Sequence, residues 1–163
     1  MNGILALITF GWFLYVMSLF GLGKNGLAVD RGIQTVINIF ENKNVVITGH
    51  TGFKGSWLAT WLKLCGANVV GIGLNPQSQP SHFDCLLSAG VFGNAMSDNR
   101  VDIRDLKNIT EIIIGAAPDY VFHMAAQPIV RASYDDPVDT YTTNVIGTLN
   151  VLQALRRLTK PCV

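Results

Sequence analysis

Residues 48–55 read TGHTGFKG and follow directly on the apolar run VVI at 45–47. Within this stretch Gly49, Gly52 and Gly55 are spaced three residues apart. A glycine-rich turn between a strand and a helix binds a pyrophosphate, because backbone N–H groups and the positive helix end face the ligand and side chains would block its approach. We expect Gly49 to permit the tight turn, Gly52 to let the backbone approach the ligand, and Gly55 to let the helix pack on the strand.

The sequence around this turn alternates apolar strand patterns with helical ones, as in a parallel α/β sheet. A helix is predicted over 53–65, because Leu58, Leu62 and Cys65 share one face and Gly66 is suited to end it. The predicted strands cover 45–48, 68–74, a third segment in which Val101 and Ile103 flank Asp102 near its end, and 120–124.

Two further helices are predicted after the third and fourth strands. Asp105 is suited to cap the first, and the second is long, with apolar residues at spacings of four, four and three. These residues are Tyr141, Val145, Leu149 and Leu152. Residues 75–99 are predicted to be mostly loop around a short helical piece, and 161–163 to begin a fifth strand. The expected fold class is α/β: a partial Rossmann fold with a parallel sheet of four strands in the order 3-2-1-4, helices on both faces, and a truncation at the fifth strand.

The first 43 residues differ from the rest and are predicted to form a separate region, an apolar segment plus a linker, before the Rossmann part at 44–163. Residues 3–22 contain no charged side chain, and twenty helical residues span about 30 Å, the thickness of a bilayer's hydrocarbon core. The segment is therefore either a transmembrane helix or a spurious extension of the reading frame; a secretory signal peptide is disfavoured, because no basic region precedes it. Lys24 and Arg31 follow the segment, which favours a cytoplasmic location for the Rossmann part, anchored or not.

Composition excludes several other classes of protein. The 12 basic and 11 acidic residues nearly balance, so no basic surface for nucleic acid is indicated. Cys65, Cys85 and Cys162 are far apart and form no C-x-x-C pair. They predict buried thiols in a reducing compartment, with no disulfide framework and no metal site.

The choice of dinucleotide rests on the residues after the turn. An acidic residue about 20 positions beyond a glycine turn holds the ribose hydroxyls of NAD, and Asn75 stands at that distance from Gly55. No Lys or Arg occurs between Lys63 and Arg100 that would bind the 2′-phosphate of NADP. The sequence therefore favours NAD, although Lys54 is placed to reach a phosphate.

Four segments together identify the chain as resembling the extended short-chain dehydrogenase/reductase superfamily of NAD-dependent epimerases and dehydratases. They are TGHTGFKGSW at 48–57, VDIRD at 101–105, HMAAQPIVRASYDDP at 123–137 and TNVIGTLNVLQA at 143–154. Within the superfamily they look most like the CDP-glucose 4,6-dehydratases. The resemblance covers residues 37–163 and implies that the chain is the N-terminal fragment of such an enzyme.

The resemblance also implies roles for individual residues. Asp102 is similar to an acidic residue that accepts a hydrogen bond from the adenine amino group, and Ile103 would pack there. Ala125, Ala126 and Gln127 match a segment that lines the nicotinamide ribose, and Asn144 matches an asparagine that braces the neighbouring strand or the cofactor. Arg131 and Ser133 lie where the family faces the nucleotide sugar, whereas His123 is expected to pack within the fourth strand. The predicted cofactor-binding set is Gly49, Thr51, Gly52, Phe53, Lys54, Gly55, Asp102, Ile103, Ala125, Ala126, Gln127 and Asn144.

The family's chemistry, as the resemblance implies it, oxidises C4 of the sugar with NAD, eliminates water across C5 and C6, and returns the hydride to C6. The product is a 4-keto-6-deoxy sugar. Its base is the tyrosine of a Tyr-x-x-x-Lys motif, with a pKa lowered by the lysine. No Tyr-x-x-x-Lys occurs in this sequence, so no catalytic residue is assigned. The alternatives are a sibling nucleotide-sugar epimerase or reductase, or a non-catalytic nucleotide-binding module; the complete enzyme is expected to be a homo-oligomer.

Overall fold

The computed structural model describes residues 39–93 and 96–163. The apolar segment at 3–22 lies outside these residues. The chain divides after Glu41, and the second unit, Asn42–Val163, contains the sheet. Within the described ranges no helix is long and apolar enough to cross a membrane.

Four parallel strands form one sheet in the order β3-β2-β1-β4. They are β1 (Asn44–Thr48), β2 (Asn68–Gly73), β3 (Met96–Arg100) and β4 (Tyr120–His123). The central strand β1 is apolar from Val45 to Ile47 and has no solvent exposure there, because it is flanked by strands on both edges and covered on both faces. The predicted α/β Rossmann-type fold and its strand order are confirmed.

The third strand begins earlier than its apolar residues predicted. The sequence placed Val101 and Ile103 near its end and left 75–99 as mostly loop. β3 instead covers Met96–Arg100, with its first four residues inside the predicted loop, and Val101 follows it. β3 reads MSDNR and is half exposed. It lies at the edge of the sheet, where burial does not demand an apolar run and hydrophobic patterning gives no signal.

Three helices connect these strands: α1 (Phe53–Leu64), α2 (His82–Ser88) and α3 (Leu106–Ala116). α1 ends as predicted, with Gly66 in the left-handed region at a φ of 81°. The side chain of Asp105 accepts the backbone N–H of Asn108 and caps α3. On α3, Ile109 and Ile113 are fully buried in the core.

The long helix predicted after β4 is preceded by a short one and contains a wider turn. α4 (Val130–Asp135) is followed by α5 (Pro137–Tyr141), a π-helical segment (Thr142–Gly147) and α6 (Thr148–Leu155), which run on without a break from Pro137. Val151 and Ala154 of α6 are buried in the core. The apolar residues that predicted the helix are about half exposed or more. Their spacing predicted the element, but they lie on the side of the helix that the core does not use.

The last residue already pairs with the sheet. Val163 donates its N–H to the carbonyl of Asp119 at 3.0 Å and accepts the N–H of Val121 at 2.8 Å. This is the bonding pattern of a parallel bridge beside β4, which is where the sequence predicted a fifth strand.

Candidate dinucleotide-binding site

The glycine turn packs against itself and against the loop that follows β4. Gly49 has a φ of +76°, and a Cβ added to it would lie 2.8 Å from the backbone nitrogen of Ala125. A Cβ on Gly55 would overlap the carbonyl group of Gly49. Both positions therefore require glycine for the turn itself, since real Cβ atoms do not make such contacts with backbone.

Gly52 differs from the other two glycines because it is exposed and the space around it is open. The one contact an added Cβ would make is with the Gly49 carbonyl oxygen, at 3.3 Å. Gly52 is also the N-cap of α1, and no side chain caps that helix end. The first N–H groups of a helix have no intrahelical acceptor and carry the positive end of its dipole. An exposed helix end of this kind, with no side chain capping it, fits a pyrophosphate.

The side chains beside the turn divide into those facing solvent and those fixing the turn. Phe53 and Lys54 are exposed at the start of α1. Thr51 is buried, and its hydroxyl donates to the carbonyl of Leu74 at 2.8 Å. Thr51 therefore ties the turn to the end of β2, and its hydroxyl hydrogen is used in that contact.

Beyond β3, Asp102 is held by its neighbour. Its carboxylate accepts Nη2 of Arg104 at 2.6 Å and the Arg104 backbone N–H at 2.8 Å. The Arg104 side chain thereby lowers the pKa of the Asp102 carboxyl. Ile103 is buried against the core, and the amide of Asn150 donates to the carbonyls of Ile103 and Arg104. Asn150, on α6, was not predicted; it fixes the segment that the adenine would contact.

The loop after β4 is clamped by the π-helical segment. The side-chain oxygen of Asn144 accepts the Gln127 backbone N–H at 2.8 Å, and its amide donates to the Gln127 carbonyl at 3.2 Å. The Gln127 side chain donates to the hydroxyl of Thr140 at 2.9 Å. Ala125 donates its N–H to the hydroxyl of Thr48. Asn144 therefore braces the loop after β4, which is one of the two roles predicted for it. The cofactor contacts of Ala125, Ala126 and Gln127 stay predictions.

His123 is engaged at both ring nitrogens. Nδ1 lies 2.7 Å from the Thr48 hydroxyl and Nε2 lies 2.9 Å from the Thr148 hydroxyl. Burial lowers the pKa of the imidazole, which favours the neutral ring at pH 7. Its geometry is that of a side chain packed within the sheet, as expected.

The two residues predicted to face the nucleotide sugar lie on α4, directly after this loop. Arg131 is exposed, and the hydroxyl of Ser133 donates to the carbonyl of Val130 at 2.6 Å. Their contacts with a sugar nucleotide stay predictions. No cluster of three His, Cys, Asp or Glu side chains suited to a metal ion occurs within 39–93 and 96–163.

One cation near the predicted site was missed in the sequence. Arg100, at the end of β3, directs Nη1 to the carbonyl of Leu74 at 3.2 Å and to the side-chain oxygen of Asn75 at 3.4 Å. The interval between Lys63 and Arg100 lacks Lys and Arg, but the register of β2 with β3 pairs Gly73 with Arg100. A guanidinium therefore stands where the ribose end of a dinucleotide is predicted. The register of neighbouring strands, which the sequence did not provide, was the signal needed to find it.

A sheet in the order β3-β2-β1-β4 with a glycine turn at the carboxyl end of its central strand defines a Rossmann-type protein of the epimerase/dehydratase superfamily. More closely, the chain belongs to the GDP-mannose 4,6 dehydratase family, whose model matches residues 46–163.

Individual relatives agree with this assignment. The chain is 43% identical over 121 residues to a CDP-glucose 4,6-dehydratase of Salmonella typhimurium, covering 74% of this chain and 33% of the relative. It is 33% identical over 119 residues to a CDP-paratose 2-epimerase of Salmonella typhi, covering 72% of this chain and 34% of the relative. A solved UDP-glucose 4-epimerase from Stenotrophomonas maltophila, with bound NAD and formylated UDP-arabinopyranose, superposes with a TM-score of 0.61 at 28% identity over 71% of this chain and 34% of that one. The chain spans about a third of the length of the relatives it matches.

Proposed function

We propose that this chain is the N-terminal, cofactor-binding part of a nucleotide-sugar 4,6-dehydratase that converts CDP-glucose to CDP-4-keto-6-deoxyglucose and water. The observation that carries the proposal is the turn at the end of β1, with an exposed Gly52 in front of an uncapped helix. The identity of 43% to a CDP-glucose 4,6-dehydratase supports the substrate. A sibling epimerase is the second candidate, because solved epimerases share the fold.

The cofactor that fits this site is NAD, which when bound supplies a hydride acceptor and donor. The N–H groups at the start of α1 would hold its pyrophosphate, with Lys54 beside them, and Gly49 and Gly55 keep the turn in shape. Asp102 and Ile103 would contact the adenine. Ala125, Ala126 and Gln127, in the loop braced by Asn144, would line the nicotinamide ribose. Two solved relatives, UDP-glucose 4-epimerases from Stenotrophomonas maltophila and Thermus thermophilus, contain NAD.

Calorimetric titration of the full chain with NAD tests the cofactor site. Gly52→Val places a branched side chain at the helix end, and we expect it to weaken NAD binding at least tenfold. Gly115→Ala is the matched control, because an added Cβ there meets nothing within 4 Å. Equal NAD affinity in both variants would show that the turn is not the phosphate site.

An activity assay tests whether the residues that bind the cofactor are sufficient for catalysis. Because the sequence contains no Tyr-x-x-x-Lys, the 163-residue chain incubated with NAD and CDP-glucose is expected to form no 4-keto sugar. In a longer protein that adds such a motif, the same assay distinguishes the two candidates: a dehydratase releases the 4-keto-6-deoxy product, whereas an epimerase returns a sugar inverted at one carbon. Detection of a 4-keto product with the 163-residue chain would contradict the assignment of catalysis to residues outside it.

A further inference from the structure

Thr148, the first residue of α6, uses its hydroxyl where a regular helix would use a backbone N–H. In an α-helix the carbonyl of Asn144 would accept the N–H of Thr148. Here that N–H is directed to the carbonyl of Val145, and the hydroxyl of Thr148 donates to the carbonyl of Asn144 at 2.6 Å. A side chain therefore replaces a backbone donor at the point where the helix leaves its wider, π-helical turn.

The same hydroxyl is tied to the sheet through His123, the last residue of β4. Nε2 of His123 lies 2.9 Å from the Thr148 oxygen, and Nδ1 lies 2.7 Å from the hydroxyl of Thr48. The single hydrogen of the Thr148 hydroxyl goes to the Asn144 carbonyl, so this oxygen accepts from Nε2. Nδ1 then accepts the hydrogen of Thr48. The bonds thus run in one direction, from β1 through β4 to the backbone of Asn144.

The side chain of Asn144 extends this chain of bonds to the loop after β4. It accepts the N–H of Gln127 at 2.8 Å and donates to the carbonyl of Gln127 at 3.2 Å. A two-point contact of this kind fixes Gln127 only while the backbone of Asn144 is itself held in place. Thr148 supplies that hold, because its hydroxyl joins the Asn144 carbonyl to β4.

The segment predicted to contact the adenine is held by a different side chain of the same helix. The amide of Asn150 donates to the carbonyls of Ile103 and Arg104, at 3.2 and 3.0 Å. These bonds do not involve the Thr148 hydroxyl. Loss of that hydroxyl is therefore expected to affect the two halves of the cofactor unequally.

We infer that Thr148 is a positioning residue for the nicotinamide half of the cofactor and acts through Asn144 on the loop after β4. The inference rests on the proposed dinucleotide site, in which this loop lines the nicotinamide ribose. Without the hydroxyl, the Nε2 hydrogen of His123 loses its acceptor and the Asn144 carbonyl loses a donor. The turn is then free to adopt regular α-helical bonding, which would rotate the Asn144 side chain away from Gln127.

Calorimetric titration of the full chain with NAD, and with ADP as a probe that lacks the nicotinamide half, tests this inference. The unaltered chain should bind NAD more tightly than ADP. Thr148→Val keeps the shape of the side chain and removes the hydroxyl, and it should weaken NAD binding about tenfold and ADP binding less than about twofold. Thr148→Ala, with a residue that favours the helix, is a second variant with the same expectation.

Two further variants separate the hydroxyl from its surroundings. Thr148→Ser keeps the hydroxyl and should retain most of the NAD affinity. Thr142→Val is the matched control, because the hydroxyl of Thr142 donates to the carbonyls of Val138 and Asp139 in the preceding turn of the same helix. It should leave the affinities for NAD and ADP unchanged.

Amide NMR spectra of the free protein test the positioning without any cofactor. In Thr148→Val the N–H signal of Gln127 should move upfield, because its hydrogen bond to Asn144 weakens. The N–H signal of Ile109, in the buried part of α3, should keep its position. A Gln127 signal that also keeps its position would show that Asn144 does not depend on the Thr148 hydroxyl, and the inference would be wrong.

The outcomes distinguish this inference from the proposed function. If the unaltered chain binds neither NAD nor ADP, the proposed cofactor site is wrong. If it binds NAD and ADP equally tightly, the pyrophosphate site stands, but the loop does not hold the nicotinamide half and the inference is wrong. Equal losses of NAD and ADP affinity in Thr148→Val, or no loss of either, would also overturn it.

Discussion

The hydroxyl of Thr48, the last residue of β1, lies 2.7 Å from Nδ1 of His123, the last residue of β4. The same oxygen accepts the backbone N–H groups of Met124 and Ala125, each at 3.1 Å. With both lone pairs occupied, Thr48 donates its own hydrogen to Nδ1, and the imidazole carries its hydrogen on Nε2. One buried hydroxyl thus joins the central strand to the loop predicted to line the nicotinamide.

Replacing Thr48 by Val should show how much this hydroxyl contributes. The substitution keeps the shape but leaves two N–H groups and a ring nitrogen without their partner, at a cost of about 1–3 kcal/mol of unfolding free energy. Thr60→Val is the matched control: Thr60 is equally buried, but its hydroxyl only donates to the carbonyl of Ser56 on the same helix. Urea unfolding should give Thr48→Val a clearly lower free energy of unfolding than Thr60→Val. The reverse order would contradict the contribution of the Thr48 hydroxyl to stability.

Gly55→Ala tests whether the turn needs glycine for its own packing. The new Cβ would overlap the Gly49 carbonyl, and we expect a loss of at least about 2 kcal/mol of unfolding free energy, since backbone cannot yield as a side chain does. Gly115→Ala on α3 should instead raise the free energy of unfolding by about 0.5–1 kcal/mol, the usual effect of replacing glycine by alanine within a helix. Thermal unfolding of both variants measures this, and an unchanged midpoint for Gly55→Ala would contradict the observed packing.

Stability should fall as the pH drops below about 7. Burial lowers the pKa of each of the three histidines, His50, His82 and His123. The unfolded chain, with histidine pKa values near 6.5, therefore binds more protons than the folded one over this range. Lowering the pH through 6.5, the histidine pKa of the unfolded chain, toward the lower pKa values of the folded chain therefore favours unfolding. The urea midpoint should be lower at pH 5.5 than at pH 7.5, and His82→Gln should reduce the difference; a midpoint that rises on acidification would show that the rings are not buried neutral.

The segment at 3–22 can be tested by cell fractionation. If residues 3–22 are translated, their length and lack of charge predict a single membrane span with the Rossmann part on the cytoplasmic side. Removing residues 1–35 should release the protein to the soluble fraction and leave NAD binding unchanged, because β1 begins at Asn44. A full chain that is already soluble, or translation that starts near residues 36–38, would identify the segment as a spurious extension.

Much of the fold was predictable because its signals are local. The apolar run of β1, the left-handed Gly66 and the Asp105 cap are each set by a few neighbouring residues, and each lies where the sequence placed it. The edge strand β3 was misplaced because it is polar. The long helix after β4 was expected, but nothing in its apolar spacing indicated the π-helical segment that directs Asn144 toward Gln127.

The sequence by itself determined the fold class and the glycine turn, since strand and helix periodicity and the restricted choice of residue in a tight turn act over short distances along the chain. The strand order followed from the glycine turn and the right-handed crossovers of parallel strands. Only the tertiary structure decided which side chains from different strands meet. Thr48 meets His123, and Arg100 reaches the end of β2. These contacts depend on strand register, and a shift of one residue would turn each side chain to the opposite face of the sheet. The contact of Arg100 with the end of β2 is therefore a property of the register between β2 and β3.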